Sequence, residues 1–107
     1  MRVYGIKSCD TVRKAMKDLA AAGNAPELVD LRETPLEVSV WKRFLDDFGE
    51  ALINRRSTTW RGLEEAERGA DPVRLLTAHP TLMKRPVIEQ GDRRTLGWDA
   101  KAREIWL

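Results

Sequence analysis

The sequence has little cysteine or histidine: one of each among 107 residues. A lone cysteine, Cys9, cannot close an internal disulfide, so no disulfide framework holds this chain. Together with the one histidine, His79, it makes no cluster at zinc-ligand spacing, and no metal site is expected. Long apolar runs are also missing. The longest is Leu19 to Ala22, where a membrane span needs about 20 residues. The opening Met1-Arg2-Val3-Tyr4-Gly5-Ile6-Lys7 lacks the apolar stretch of a signal peptide. Nor is there an excess of one charge: 19 basic residues against 17 acidic give +2, too little to point to nucleic acid. No glycine-rich phosphate loop, paired carboxylate motif, Ser/His/Asp order, repeat or dividing linker is present. These absences lead to an expectation of a cytoplasmic protein that engages neither membrane nor nucleic acid.

What is present suits one domain over residues 1–107. Hydrophobic residues make up 42% and charged residues 34%, enough for a single core and too much order for a disordered chain. Charge is unevenly spread. Residues 51–63 carry Arg55, Arg56 and Arg61 without an acid, and residues 72–88 carry Arg74, Lys84 and Arg85 without an acid. Two readings are open: solvated basic faces, or an anion pocket near Cys9.

Val3-Tyr4-Gly5-Ile6 reads as a short buried strand. Asp10 or Thr11 can cap the helix that follows, through a side-chain oxygen that accepts from free backbone N–H groups. Val12, Ala15, Met16 and Leu19 form its apolar stripe, and Gly23-Asn24 ends it. Glu27-Leu28-Val29-Asp30-Leu31 reads as a second strand, giving a βαβ-like unit with parallel strands. Thr34-Pro35 is a break. Val38, Trp41, Leu45 and Phe48 make a second helical stripe closed by Gly49. Thr58 and Thr59 introduce Trp60 and one short polar helix to about Arg68. Asp71-Pro72 pairs a cap with proline at the first helical position, starting a helix to His79. Pro86-Val87-Ile88-Glu89 and Thr95-Leu96-Gly97 read as a hairpin about Gly91-Asp92. Trp98, Ala102 and Ile105 suggest a closing helix. The pattern fits an α/β fold with a four-stranded mixed sheet and a helical insert at about 34–82, the thioredoxin-like arrangement.

Cys9 sits between a strand and a helix N-terminus. Free N–H groups and the helix dipole put partial positive charge there. Such sites lower a cysteine pKa from about 8.5 to roughly 3.5–7.5, which makes the thiol a nucleophile. Lys7, just upstream, offers further positive charge. A Cys-x-x-Cys motif would need a thiol at position 12, where this chain has Val12. With no resolving cysteine, a thiol from another molecule must complete any redox cycle, and glutathione is the abundant candidate. Arg85-Pro86 opens the third strand. Pro86 is the candidate cis-proline, which in thioredoxin-like folds faces the active cysteine. His79 reads as a helix-end residue, and the tryptophans at 41, 60, 98 and 106 read as core rather than a base-stacking platform.

Four blocks in order along nearly the whole chain carry a family resemblance. Tyr4-Gly5-Ile6-Lys7-Ser8-Cys9-Asp10-Thr11 resembles the opening of the arsenate reductase (ArsC)/Spx family, above all its YffB-like branch. Ala51-Leu52-Ile53-Asn54-Arg55-Arg56-Ser57-Thr58-Thr59-Trp60 resembles that branch's central segment. Lys84-Arg85-Pro86-Val87 resembles the segment with arginine and cis-proline, and Thr95-Leu96-Gly97-Trp98 the entry to the last helix.

The resemblance implies the thioredoxin-like fold with its insert, and Cys9 as nucleophile. Of the three arginines that surround the oxyanion in arsenate reductases, Arg85 matches the one beside proline. Asn54 stands where the first would be, and Arg56 takes the shifted Asn-x-Arg position of the YffB-like proteins. The third has no match; Trp98 and Asp99 lie there. The function implied is a monothiol, glutathione-dependent thiol/disulfide reductase. Backbone N–H groups of Asp10 and Thr11 would hold the developing charge. Arg56 and Arg85 would bind an anionic group such as a glutathione carboxylate. Lys7 would favour the thiolate, and Pro86 would form the facing wall. The alternatives are a glutathione- and glutaredoxin-coupled arsenate reductase, and an Spx-like regulator that binds RNA polymerase, a role whose Cys-x-x-Cys switch Val12 removes. No tightly bound cofactor is expected. Glutathione is the co-substrate, glutaredoxin a candidate partner, a small-molecule or protein disulfide the substrate, and the chain is expected to be monomeric.

Overall fold

Arg2–Gly5 forms strand β1, and both of its faces are covered: Val3 and Tyr4 are each buried. A strand buried on both sides belongs in the middle of a sheet. The computed structural model, which describes residues 1–107, places it there. Strand β2, Glu27–Asp30, pairs parallel to β1, with Gly5 opposite Asp30. Strand β3, Val87–Gln90, pairs antiparallel to β1, with Tyr4 opposite Val87. Strand β4, Arg93–Leu96, closes a hairpin with β3. The order is β2-β1-β3-β4, a mixed four-stranded sheet of thioredoxin-like topology.

Between β1 and β2 the chain crosses over through helix α1, Asp10–Ala21. Its Val12, Ala15 and Leu19 are buried, and Met16 packs at the edge of the same cluster. Helix α6, Ala100–Trp106, adds Ala102. With Val3, Ile88 and Trp98 these side chains form one apolar cluster. The end of α1 is a Schellman motif: Gly23 N–H donates to Ala20 O and Asn24 N–H to Leu19 O, with Gly23 at φ 89°.

Two expectations for this unit are corrected. The N-cap of α1 is Cys9, not Asp10 or Thr11, and no side chain caps it. The chain turns into the helix one residue early: Cys9 N–H donates to Ile6 O, and Cys9 O accepts from Arg13 N–H. Asp10 and Thr11 therefore lie inside the first turn. In the last helix, Ile105 is exposed, while Ala102 is buried and Trp106 half-buried. Asp99 is the cap, its Oδ1 accepting from Ala102 N–H at 2.9 Å. Trp98 enters the core from the preceding bend, so helical phase cannot be counted from it.

Thr34–Lys84 forms a second compact unit, while Met1–Glu33 and Arg85–Leu107 together make the sheet unit. Helix α2, Val38–Phe48, buries Trp41 and Phe44, which meet edge to face with centroids 6.4 Å apart. The expected stripe had Val38, Leu45 and Phe48 beside Trp41. Val38 is instead exposed and Phe44 fully buried, because the buried face centres on the i, i+3 pair of large rings. A 3-10 turn, Gly49–Leu52, follows.

The single polar helix expected up to Arg68 is two four-residue helices, α3 (Thr58–Arg61) and α4 (Glu65–Arg68). Gly62 stands at the C-cap of the first, capped at its start by Ser57 Oγ, which accepts from Trp60 N–H at 3.1 Å. Helix α5, Pro72–Ala78, begins as the sequence indicates: Asp71 accepts from Val73 N–H and Arg74 N–H. It ends at His79, whose Nε2 lies 3.1 Å from Glu67 Oε2. After a 3-10 turn, Pro80–Leu82, Asn54 N–H donates to Leu82 O and Lys84 N–H to Leu52 O. These bonds lie within the unit that ends at Lys84, where the insert was expected at about 34–82. Trp41 and Trp98 are core, whereas Trp60 and Trp106 are half-buried and lie beneath arginine side chains. No helix is long and apolar enough to cross a membrane.

Candidate functional site

The site is built around the point where β1 hands the chain to α1. Gly5, the last residue of β1, packs directly beneath Val12. A Cβ at Gly5 would come within 2.6 Å of Val12 Cγ2. Only a hydrogen at that position lets the helix approach the strand this closely. Ile6, Lys7 and Ser8 then bridge to Cys9, which is half-buried at the N-cap with extended φ −80° and ψ 121°. No side-chain oxygen covers the first-turn N–H groups of α1. Those donors and the dipole behind them favour negative charge on the Cys9 side.

The bridging loop is held from two directions. Lys7 N–H donates to Asp30 Oδ2 at 2.9 Å, and Lys7 O accepts from Arg13 Nε at 2.9 Å. Asp30 is 6% exposed, at the end of β2, and its Oδ1 also accepts from Arg32 N–H at 2.8 Å. These N–H donors, that of Lys7 foremost, hold its carboxyl below the usual carboxylate range despite the opposing effect of burial. Sequence reading missed both residues. Arg13 falls outside the apolar stripe Val12, Ala15, Met16 and Leu19, and Asp30 reads as a strand residue. The signal was a charged group, Asp30, set between apolar Val29 and Leu31.

Lys7 is exposed, and its ammonium is engaged by Glu33 at 2.8 and 3.0 Å, which raises its pKa. The positive charge expected beside Cys9 is thus shared with a carboxylate. Asp10 and Thr11 occupy the exposed start of α1. Arg85 is half-buried and precedes Pro86 through a cis peptide bond. Extending the β1–β3 register by one residue sets Pro86 opposite Gly5, at the end of the sheet from which the Cys9 loop departs. Pro86 is fully buried, and its carbonyl accepts from Gly97 N–H at 2.8 Å.

The sheet unit therefore brings together Lys7, Cys9, Asp10, Thr11, Arg85 and Pro86 at one end of its central strands. Arg56 belongs to the helical unit. It sits in the turn after the 3-10 segment, where its N–H donates to Asn54 Oδ1 at 3.0 Å. With Glu50, Asn54, Arg55 and Lys84 it lines an open cavity of about 490 Å³. Arg55 is stacked on the Trp60 ring at 5.4 Å. No three His, Cys, Asp or Glu side chains gather to hold a metal ion.

A half-buried thiol at an uncapped helix start, with a cis-proline at the adjoining strand end, can attack an electrophile and stabilise the charge that forms. The profile of the ArsC family matches this chain over residues 4–105. The chain belongs to the ArsC family. It is 39% identical over 104 residues to an uncharacterised protein of Haemophilus influenzae, covering 92% of this chain and 91% of that protein. Among solved structures, the YffB protein superposes with a TM-score of 0.91 at 32% identity, over 99% of this chain and 97% of that one. An arsenate reductase (ArsC) related protein from Brucella melitensis superposes with a TM-score of 0.75 at 34% identity, over 98% and 92%. This ArsC-family chain thus shares nearly all of its length with these relatives, and the family match spans the Cys9 loop.

Proposed function

We propose that this ArsC-family chain is a monothiol reductase that uses Cys9 as nucleophile and glutathione as co-substrate. The observation that carries the reading is Cys9 at the uncapped start of α1, with buried Val12 where a second thiol would stand. For a disulfide that joins a substrate thiol to glutathione, the Cys9 thiolate attacks the glutathione sulfur. The S–S bond breaks, and the substrate leaves as a thiolate that takes a proton from solvent. Cys9 then carries a mixed disulfide. A second glutathione, as thiolate, attacks the glutathione sulfur on Cys9, giving oxidised glutathione and the free Cys9 thiolate. The N–H groups of Asp10 and Thr11 hold negative charge at the sulfur, and Lys7 adds the charge it shares with Glu33. Pro86 forms the facing wall. Arg85 binds an anionic group of the ligand, and Arg56 is assigned an anion-binding role on its own unit.

Likeness to the Brucella protein supports arsenate as a second candidate substrate. One assay decides between them: NADPH consumption coupled through glutathione reductase, run with glutathione mixed disulfides and with arsenate plus glutaredoxin. Turnover with disulfides that vanishes in Cys9→Ser is the expected result. Turnover with arsenate alone would replace the substrate. No Cys9-dependent turnover with either would sink the enzyme reading and leave the RNA polymerase-binding alternative, read by pull-down.

A further inference from the structure

We propose that Asp30 and Arg13 are positioning residues that grip the two polar groups of the Lys7 backbone and so fix the loop presenting the Cys9 thiol at the start of α1. The inference rests on the reading of Cys9 as nucleophile. It concerns side chains that touch neither thiol nor ligand.

The loop has no sheet or helix bonds of its own between Gly5 and Cys9 except the Cys9 N–H bond to Ile6 O. Its central peptide groups must find partners elsewhere. The N–H of Lys7 finds Asp30, 23 residues away at the end of the neighbouring strand. A carboxylate held in its own turn would be served by the N–H of Arg32 on Oδ1. The second oxygen is aimed outward, at the loop. The carbonyl of Lys7 finds the Nε of Arg13, one helical turn beyond Cys9. The Arg13 backbone N–H in turn donates to Cys9 O. One residue of the loop is therefore tied to β2 on its donor side and to α1 on its acceptor side. The sulfur lies two residues further on. Displacements of about 1 Å at a reacting atom can cost about a hundredfold in rate, so such a grip bears on reactivity.

Substitution separates the two bonds from general stability. In Asp30→Asn one oxygen becomes an amide NH2. If the Arg32 turn keeps the remaining oxygen, donor faces donor at Lys7. Arg13→Met keeps length and removes the donors, whereas Arg13→Lys keeps a donor that can reach the same carbonyl. Arg13 is exposed, so these variants are expected to fold. Ile88→Val, in the core cluster and on β3 rather than in the loop, is the control for lost stability.

The test is the second-order rate of Cys9 alkylation by iodoacetamide at pH 7 on the full chain, alongside kcat and KM in the disulfide assay. Asp30→Asn is expected to slow alkylation about tenfold and Arg13→Met several-fold, by the same displacement argument. Arg13→Lys should stay near wild type, and Ile88→Val should melt lower at an unchanged rate. In turnover, kcat should fall with KM held. Alkylation of folded Asp30→Asn and Arg13→Met within twofold of wild type would overturn the proposal, as would equal losses in Ile88→Val. Because alkylation needs no substrate, the expected rate pattern in a chain without turnover rejects the reductase reading and upholds the grip. Should Asp30→Asn fail to fold, the Arg13 pair decides.

Discussion

At the scale of single residues, Asp30 has the largest consequence. Its carboxyl is held below the usual range by backbone donors, so folding favours its ionised form. A carboxyl with a depressed folded pKa stabilises the fold fully above its unfolded value, about 3.9. That contribution is lost as pH falls through the folded value. Wild type and Asp30→Asn should therefore differ in Tm by a constant amount from about pH 5 to pH 8, and the gap should close as pH drops below about 4. Thermal melts across that range check it. A gap that stays constant down to pH 3 would contradict the assignment. Cys9 and Pro86 could be picked out from sequence because their signals are local: a thiol before an apolar helical stripe, a proline before a strand. Asp30 and Arg13 could not. Their partners are the backbone N–H and carbonyl of Lys7, and only the β1–β2 register and the helix start bring them there.

Among the elements, the contact of β1 with α1 sets where the helix begins. Gly5→Ala would drive a methyl to within 2.6 Å of Val12 Cγ2. Overpacking of this kind costs about 1–3 kcal/mol. Val12→Ala opens a cavity in the core and is destabilising by itself. In the double variant the new methyl occupies the space vacated by the isopropyl group, so the double variant should be more stable than the sum of the two single losses. Urea denaturation of the four chains measures that coupling, and strict additivity would refute it. Helix ends with a chemical mark were legible, such as Asp71-Pro72 and Gly23. Helix faces were less so. Four apolar side chains at helical spacing placed α2, but Val38 faces solvent and Phe44 is core. A stripe gives a helix its existence and leaves its rotation to the largest rings, here Trp41 and Phe44. The break at Gly62 was missed because polar sequence on either side carries no periodicity to interrupt.

At the scale of the molecule, the cysteine count becomes a constraint on chemistry. The order of strands and helices, and an insert in the middle of the chain, followed from the pattern of apolar segments alone, because each segment is short and bounded by glycine or proline. The insert expected at about 34–82 corresponds to the compact unit Thr34–Lys84, whose last residue is held by the Lys84 N–H bond to Leu52 O. The single thiol carries the remaining consequence. An adduct on Cys9 has no internal thiol to displace it, since Cys9 is the one cysteine of the chain and the second position of a Cys-x-x-Cys motif is held by buried Val12. Exposure to oxidised glutathione should therefore add the mass of one glutathione per chain, and none to Cys9→Ser. The adduct should persist after the reagent is removed and disappear when reduced glutathione is supplied. Intact-protein mass spectrometry reads each step. Spontaneous loss of the adduct without an outside thiol would show that the cycle closes by some other route, and the dependence on a second molecule would fall with it.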